Sequence, residues 1–452
     1  MNSLTGFEDT IVALSTANGI GAIAVIRISG DKTQKILSEC FKGRGISESQ
    51  GNTVHYGYIY DDHHQIDEVL VSWFKGPHSY TRQDAAEISC HGSVYIQRRI
   101  IALLIRLGAR LARPGEFTQR AFLNGRFNLL QAEAVADLIA SESGAQHTLA
   151  LNQLKGGISG KLQNMRTQLM DLTALLELEL DFSEEDVEFA NRDQLIRATR
   201  EILTEVNQLS GSFSYGNAIK KGIPVAIAGP PNVGKSTLLN VLLEEEKAIV
   251  SDIAGTTRDV IEDTMVLEGI LFRFIDTAGI RETEDHVESL GIARSKQMIA
   301  KAQIVIVLYD HLTEISYVQD IMDLVRAEKK AFIPVRNKAD ILGAEQPLLE
   351  NEMVISALQQ ENIDALKARI LALSEVNATP LDVTVSNLRH YEALQNAAAA
   401  LNKVLEGLNG GLTTELIAEE LRSALYYIGS ITGEVTPDDI LGTIFGKFCI
   451  GK

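Results

Sequence analysis

Hydrophobic and polar positions follow four successive rhythms along this chain. Over residues 1–124, short β-branched or aromatic runs such as Ala22-Ile23-Ala24-Val25-Ile26-Arg27-Ile28 and Val69-Leu70-Val71-Ser72-Trp73-Phe74 are bounded by Gly, Pro or Asp. Runs of that kind predict strands. Between them the period is helical, as over residues 93–107, and it stops at Gly108. An N-terminal α+β domain is expected.

From residue 125 to 219 the apolar positions fall at alternating steps of three and four. Leu162, Met165, Leu169, Leu172 and Leu176 form one such stripe, and Leu195, Ala198, Ile202, Val206 and Leu209 form another. Each lies on one face of a helix, and bundle core is the ordinary use of such a face. The acidic stretch 181–188 is a plausible turn between them. Residues 220–380 switch to strands alternating with helices, with strand-like runs at 224–228, 272–275, 304–308, 332–335 and 353–355. That alternation marks a parallel sheet covered on both faces. Residues 381–452 return to helical periods, at 388–408 and 413–428. The two helical stretches are each short of core, so they are expected to pack together. The central α/β unit is then an insertion whose ends lie close in space. The fold class is multidomain α/β plus all-α.

Composition supports that division. A length of 452 residues exceeds what one core organises and suggests about three domains. Apolar and charged contents of 45% and 23% are those of a globular protein. No run approaches the ~18 apolar residues that span a bilayer, and the acidic first residues lack the basic flank of a secretory signal. Cys40, Cys90 and Cys449 stand far apart in no metal-ligand spacing, so a cytoplasmic location is expected. Lys and Arg total 42 against 60 for Asp and Glu, a net charge of −18. A chain so acidic repels a phosphate backbone, and tight unaided nucleic-acid binding is disfavoured. If nucleic acid is a substrate, a partner supplies much of the positive surface.

Within the central unit the chemistry becomes specific. Gly229-Pro230-Pro231-Asn232-Val233-Gly234-Lys235-Ser236, followed by Thr237, fits a phosphate-binding loop between a strand and a helix. Backbone N–H groups face the phosphates, Lys235 neutralises charge there, and the Ser236 hydroxyl suits Mg²⁺. Asp276-Thr277-Ala278-Gly279 follows the next strand, where a carboxylate can reach the Mg²⁺ shell and a glycine N–H the γ-phosphate. Asn337-Lys338-Ala339-Asp340 closes a later strand, and Asp340 can accept from both the ring N–H and the exocyclic amine of guanine. Ser356-Ala357 then supplies a base-side loop. Four ordered motifs on the matching background predict a GTPase. Ile280 stands where Ras-like members carry the glutamine that orients the attacking water. Glu282, Glu284, Asp285 and Glu288 are the candidate replacements, and position alone does not choose among them.

Three further elements occur together: Gly255-Thr256-Thr257-Arg258-Asp259, Arg-Pro-Gly-Glu-Phe-Thr at residues 113–118, and the tail Phe448-Cys449-Ile450-Gly451-Lys452. With them the chain resembles, over essentially its full length, the MnmE (TrmE) family of tRNA-modification GTPases. The resemblance implies an N-terminal domain (1–124) that binds a tetrahydrofolate derivative (5,10-methylene- or 5-formyl-) and mediates homodimerisation. It implies a helical domain from residues 125–219 and 381–452, and an inserted Ras-like G domain at 220–380. The family works with an FAD-containing partner, MnmG (GidA), in a heterotetrameric or larger complex without a membrane. Together they add an aminomethyl or carboxymethylaminomethyl group to the wobble uridine of certain tRNAs, at C5.

Carried over by motif, the folate contacts implied are Arg27, Glu87, Arg126 and Lys452, cations suiting a glutamate tail and Glu87 a pterin's paired donors. Family members often carry Lys at the position of Arg126. At the nucleotide site the resemblance implies K⁺ in place of an arginine finger, held by Asn232, Ser251, Ile253 and Thr256, with Asp252, Ala254 and Gly255 in the same GTP-binding segment. Thr257 would join Ser236 on Mg²⁺, and Glu288 matches the family's water-positioning acid. Cys449 is placed by the folate site, where a thiol could act in one-carbon chemistry, although a cysteine flanked by Phe448 and Ile450 is more often packed. His91, near Glu87, is more often structural than catalytic. Two other classes stay open at this stage: a regulatory or ribosome-assembly GTPase, and a mechanochemical scaffold.

Overall fold

The computed structural model describes residues 9–43, 51–181, 192–247, 263–275, 296–342, 349–374, 383–435, 438–446, 448 and 450–451. They form two compact units: residues 1–139, 153–202 and 396–452 belong to the first, and residues 140–152 and 203–395 to the second.

Among the described residues the first unit contains a seven-stranded sheet. Its strands are β1 (Thr10–Leu14), β2 (Ile23–Ser29), β3 (Phe41–Gly43), β4 (Thr53–Asp61), β5 (His64–Phe74), β6 (Ala85–His91) and β7 (Ala109–Leu111). They lie in the order β3-β4-β5-β6-β2-β1-β7. The β1–β7 pair is parallel and the other pairs are antiparallel. Alternation decides the faces: Ala24, Ile26 and Ile28 point into the core with Val69, Val71, Trp73, Ala86 and Ile88. Arg27 of β2 and Glu87 of β6 therefore share the opposite face. Helix Val94–Arg106 covers the core with Ile100, Leu103 and Leu104, and ends before Gly108, whose φ is 110°.

The helical part of this unit uses the expected stripes. Leu162, Met165, Leu169, Leu172 and Leu176 of helix Gly157–Asp181 are buried. That helix packs along Thr414–Thr432, with Arg166 paired to Glu434 at 2.5 Å and Arg422 to Glu177 at 3.0 Å. Helix Arg192–Gly211 belongs to the first unit up to Ile202 and to the second from Leu203, and its stripe needs one correction. Ala198 is only half-buried, and Thr199 is buried in its place. Thr199 sits four residues after Leu195 and three before Ile202, on the buried line, and its hydroxyl hides it from an apolar count. The acidic turn at 181–188 falls largely outside the described residues.

A second sheet organises the other unit. It comprises β8 (Ile223–Ala228), β9 (Asp263–Leu267), β10 (Ile270–Phe274), β11 (Ile304–Tyr309), β12 (Ala331–Arg336) and β13 (Met353–Val354), ordered β13-β12-β11-β8-β10-β9. All pairs are parallel except the β9–β10 hairpin. Apolar clusters cover both faces of this sheet. The five predicted strands are present, and β9 is an addition. Its sequence buries only Met265, as an edge strand can, and it is joined to β10 by Glu268-Gly269, both at positive φ. Residues from the flanking helices also fold onto this sheet: Leu149 and Ile219 enter its core, and Gln146 Nε2 donates to the Lys220 carbonyl at 3.1 Å. Residues that flank the central segment meet, as the Val385 N–H donates to Ser212 Oγ at 3.0 Å and Phe213 stacks on Tyr391 at 4.5 Å. Among the described residues no helix is long and apolar enough to cross a membrane.

Candidate functional site

In the second unit the C-terminal ends of β8, β11, β12 and β13 converge on one loop. Ala228 ends β8, Gly229 to Gly234 form the turn, and helix Lys235–Lys247 starts at once. Gly234 has a φ of 94°, and a Cβ there would lie 2.4 Å from Asn337 Nδ2. A Cβ on Gly229 would lie 2.0 Å from the Leu308 carbonyl oxygen of β11. Glycine at these two positions lets the loop close against its neighbours, so that the backbone N–H groups at the helix start gather as an anion site. Lys235 Nζ donates to the carbonyls of Gly229 and Pro230 at 2.9 and 2.7 Å, and burial pushes its pKa down. Ser236 and Thr237 are exposed in the first turn, where a hydroxyl is a hard donor suited to Mg²⁺.

The base-reading motif is latched onto this loop. Asn337 is buried; its Nδ2 donates to the Val233 carbonyl at 2.8 Å and its Oδ1 accepts from the Ala357 N–H at 2.9 Å. Lys338 Nζ donates to the Asn232 carbonyl at 2.8 Å. Asp340 is exposed, with Oδ1 accepting from Ser356 Oγ at 2.6 Å. Asn232, Val233, Gly234, Lys235, Ser236, Thr237, Asn337, Lys338, Asp340, Ser356 and Ala357 thus form one contiguous site. The Asn232 side chain is exposed at its rim, an amide oxygen of the kind a monovalent cation accepts. Ser251, Asp252, Ile253, Ala254, Gly255, Thr256, Thr257, Asp276, Thr277, Ala278, Gly279 and Glu288 lie outside the described residues.

The first unit holds a separate cleft of about 530 Å³, lined among others by Arg27, Tyr80, Glu87 and Arg126. Arg27 and Glu87 are direct cross-strand partners, and the guanidinium donates from Nε and Nη2 to Glu87 Oε1 at 3.0 and 2.8 Å. Tyr80 lies between two arginines: its ring centre is 5.0 Å from the Arg27 guanidinium and 4.9 Å from that of Arg126. Arg126 Nη1 also donates to the Ser79 carbonyl at 2.9 Å. The C-terminal tail reaches the same place. The Gly451 carbonyl accepts from Arg27 Nη1 at 3.2 Å and from Ser15 Oγ at 3.3 Å. Gly451 has a φ of 97°, and a Cβ there would lie 2.3 Å from the Leu14 carbonyl oxygen. Fixed cations, a carboxylate and an aromatic wall suit a ligand with an acidic tail and paired ring donors. Three of the four residues expected in a folate site therefore line one cleft, and the fourth, Lys452, is outside the described residues, as is Cys449. Tyr80 and Ser79 were not singled out from sequence; nothing local marks them, because their role depends on two arginines 99 positions apart in sequence.

Elsewhere in the first unit, polar residues bond one another. Glu116 of the Arg-Pro-Gly-Glu-Phe-Thr segment is buried and binds Arg110 and Arg120 at 2.6 and 3.0 Å, together with the Arg113 N–H at 2.8 Å. Gly115 of the same segment lies against Phe445, with a virtual Cβ 2.5 Å from its carbonyl oxygen. His91 Nδ1 pairs with Asp67 at 2.8 Å, and that hydrogen bond raises its pKa. Burial pushes the Cys40 and Cys90 thiols up to about 12 and about 11, so neither is a thiolate at neutral pH. No cluster of three His, Cys, Asp or Glu suited to a metal occurs among the described residues.

Two family models together match nearly the whole chain. The family model described as "GTP-binding protein TrmE N-terminus" matches residues 10–126, and that of the "MnmE helical domain" matches residues 129–449. The tRNA modification GTPase MnmE of Cytophaga hutchinsonii is 48% identical, over 100% of this chain and 99% of its own. That of Flavobacterium johnsoniae is 50% identical, over 98% and 99%. Among solved structures, the G domain of the T. maritima FeoB iron transporter is 22% identical over 34% of this chain and 99% of its own, at a TM-score of 0.26, a likeness too slight to bear on function.

Proposed function

The chain belongs to the MnmE family of tRNA-modification GTPases, and from that membership we propose its finer chemistry. It is a GTP hydrolase that requires K⁺ as well as Mg²⁺. With an FAD-containing MnmG partner it adds an aminomethyl or carboxymethylaminomethyl group to C5 of a tRNA wobble uridine. It acts as a homodimer in the cytoplasm and meets tRNA through the partner complex. The G domain is residues 220–380, inserted into a helical domain of residues 125–219 and 381–452, behind a folate-binding and dimerising domain of residues 1–124.

When bound, the folate derivative supplies a one-carbon unit, Mg²⁺ neutralises β/γ-phosphate charge, and K⁺ adds the positive charge an arginine finger would otherwise bring. Toward these groups the chain does the following. Arg27, Glu87, Arg126 and Lys452 contact the folate, and the Arg27–Glu87 ion pair meets one end of it as a unit. In the G domain Lys235 and the loop N–H groups receive the phosphates, with Asp276 to Gly279 around the metal and γ-phosphate. Ser236 and Thr257 hold Mg²⁺, while Asn232, Ser251, Ile253 and Thr256 hold K⁺. Asp340 reads guanine, and Glu288 positions the attacking water in the absence of a switch glutamine.

The observation that carries this reading is the meeting of Arg27, Glu87 and Arg126 in one cleft, with the Gly451 carbonyl bonded to Arg27. A GTPase that only timed assembly would have no use for a cleft of this lining outside its nucleotide site. The test is equilibrium binding of 5-formyltetrahydrofolate to the full chain. Arg27→Ala should weaken binding at least tenfold, and a wild-type protein that binds no folate would sink the assignment. Nucleoside mass spectrometry of tRNA from cells lacking the gene should show loss of the modified uridine.

A further inference from the structure

Asp310, at the C-terminal end of β11, has no part in the chemistry above, yet its carboxylate is held from both sides. Oδ1 accepts from the Leu312 N–H at 3.1 Å and from Thr313 Oγ1 at 2.9 Å. Oδ2 accepts from Lys338 Nζ at 2.8 Å. The Asp310 side chain is only 6% exposed. Burial alone would raise its pKa, but the bonds from Lys338 and Thr313 outweigh that and hold the carboxyl below its ordinary range.

Lys338 continues the line. The same ammonium that binds Asp310 donates to the Asn232 carbonyl of the phosphate loop. Lys338 and Asn232 both have a φ of 65°, the left-handed region that residues other than glycine enter reluctantly. A lysine side chain is long and loses considerable rotamer freedom when fixed. A single hydrogen bond to a neutral carbonyl is a weak restraint on it. A buried carboxylate whose other oxygen is already occupied supplies the second, charge-assisted restraint.

We propose that Asp310 is a positioning residue for nucleotide binding: it anchors Lys338 so that the base-reading loop and the phosphate loop are held as one preformed receptor. The inference rests on the guanine-nucleotide reading of this site and adds a residue outside its motifs. Asp310 itself touches neither base nor phosphate in this account; it acts only through Lys338.

That dependence gives the test. GTP and GDP dissociation constants would be measured by fluorescence titration for the full-length wild type, Asp310→Asn, Lys338→Met and the double variant. Asp310→Asn should raise both constants by the same factor, about tenfold, because base and β-phosphate are common to the two nucleotides. In the Lys338→Met background the same change should have no further effect. A merely structural aspartate would lower the melting temperature in both backgrounds without that non-additivity. Additive losses, or an unchanged constant in Asp310→Asn, overturn the proposal. If Asp310→Asn does not fold, Thr313→Ala loosens the carboxylate while leaving it in place. It should produce a smaller rise in both constants, again absent in the Lys338→Met background. Failure of the wild type to bind either nucleotide would overturn the guanine-nucleotide reading itself.

Discussion

Asn337 bonds both the phosphate loop and the last base-side loop from a buried position, so its amide cannot be removed without orphaning partners. Asn337→Ala leaves the Val233 carbonyl and the Ala357 N–H unsatisfied, and should cost about 1–3 kcal/mol in a denaturant titration. Asp340 differs, because it is exposed and bonds only Ser356 Oγ among the contacts described above. Asp340→Asn should leave stability nearly unchanged. It should lower GTP affinity about 100-fold, the scale of two charge-assisted hydrogen bonds, and shift preference toward xanthosine triphosphate. Unaltered GTP affinity would show that residues 337–340 do not read the base. Gly451 is constrained by space: a methyl group there would strike the Leu14 carbonyl. Gly451→Ala is expected to unseat the tail and reduce folate affinity, leaving GTP turnover intact.

At the scale of elements, the stripe on helix Gly157–Asp181 and the ion cluster at helix Glu116–Leu123 make opposite kinds of contribution. Leu169 is fully buried at the middle of the first, and Leu169→Ala should cost about 2–5 kcal/mol, depending on how far the site collapses. The cluster is electrostatic. Burial raises the pKa of Asp9 and Glu116, but Arg110 and Arg120 more than offset this and leave both below their ordinary 3.8 and 4.5. Folded-state pKa values below the unfolded ones mean that the stability is fully present above about pH 4.5 and is lost as the pH falls below 3.8. Thermal melts of the wild type should therefore drop across that window. Glu116→Gln should be less stable at neutral pH and show a shallower fall, and an equally steep fall would remove Glu116 from the account.

For the whole molecule, hydrolysis and modification depend on residues far apart in the chain, so they should separate by mutation. Cys449→Ser swaps a soft nucleophile for a poor one and leaves the phosphate loop untouched. Normal GTPase rate with loss of modified uridine is the expected result, and full modification would reduce the cysteine to packing. Glu288→Ala should bind GTP, hydrolyse it at least 100-fold more slowly and fail to support modification in complemented cells. Full modification by that variant would show that GTP turnover does not drive the chemistry. For the wild type, hydrolysis should be faster in K⁺ than in Na⁺ at equal ionic strength, and Asn232→Ala should abolish the difference.

Much of this protein was legible along the chain because the relevant physics is local. Strand alternation and the helical stripes are each set within a few residues, and they predicted both architectures; the spacing from Gly229 to Ser236 is equally local and is what proposes the nucleotide site. Edge strand β9 escaped because an edge strand need bury little, and Thr199 because a polar side chain is not counted among apolar positions. The cleft of the first unit was reachable from sequence only through family resemblance. Arg27 and Glu87 become partners through strand register, Tyr80 through two remote arginines, and Gly451 through a contact that spans 424 positions to Arg27. The Asp310–Lys338–Asn232 line likewise exists only once three segments are brought together. Sequence determined what each segment can do alone; tertiary structure decided which charges meet, because pairing depends on distances that no local spacing encodes.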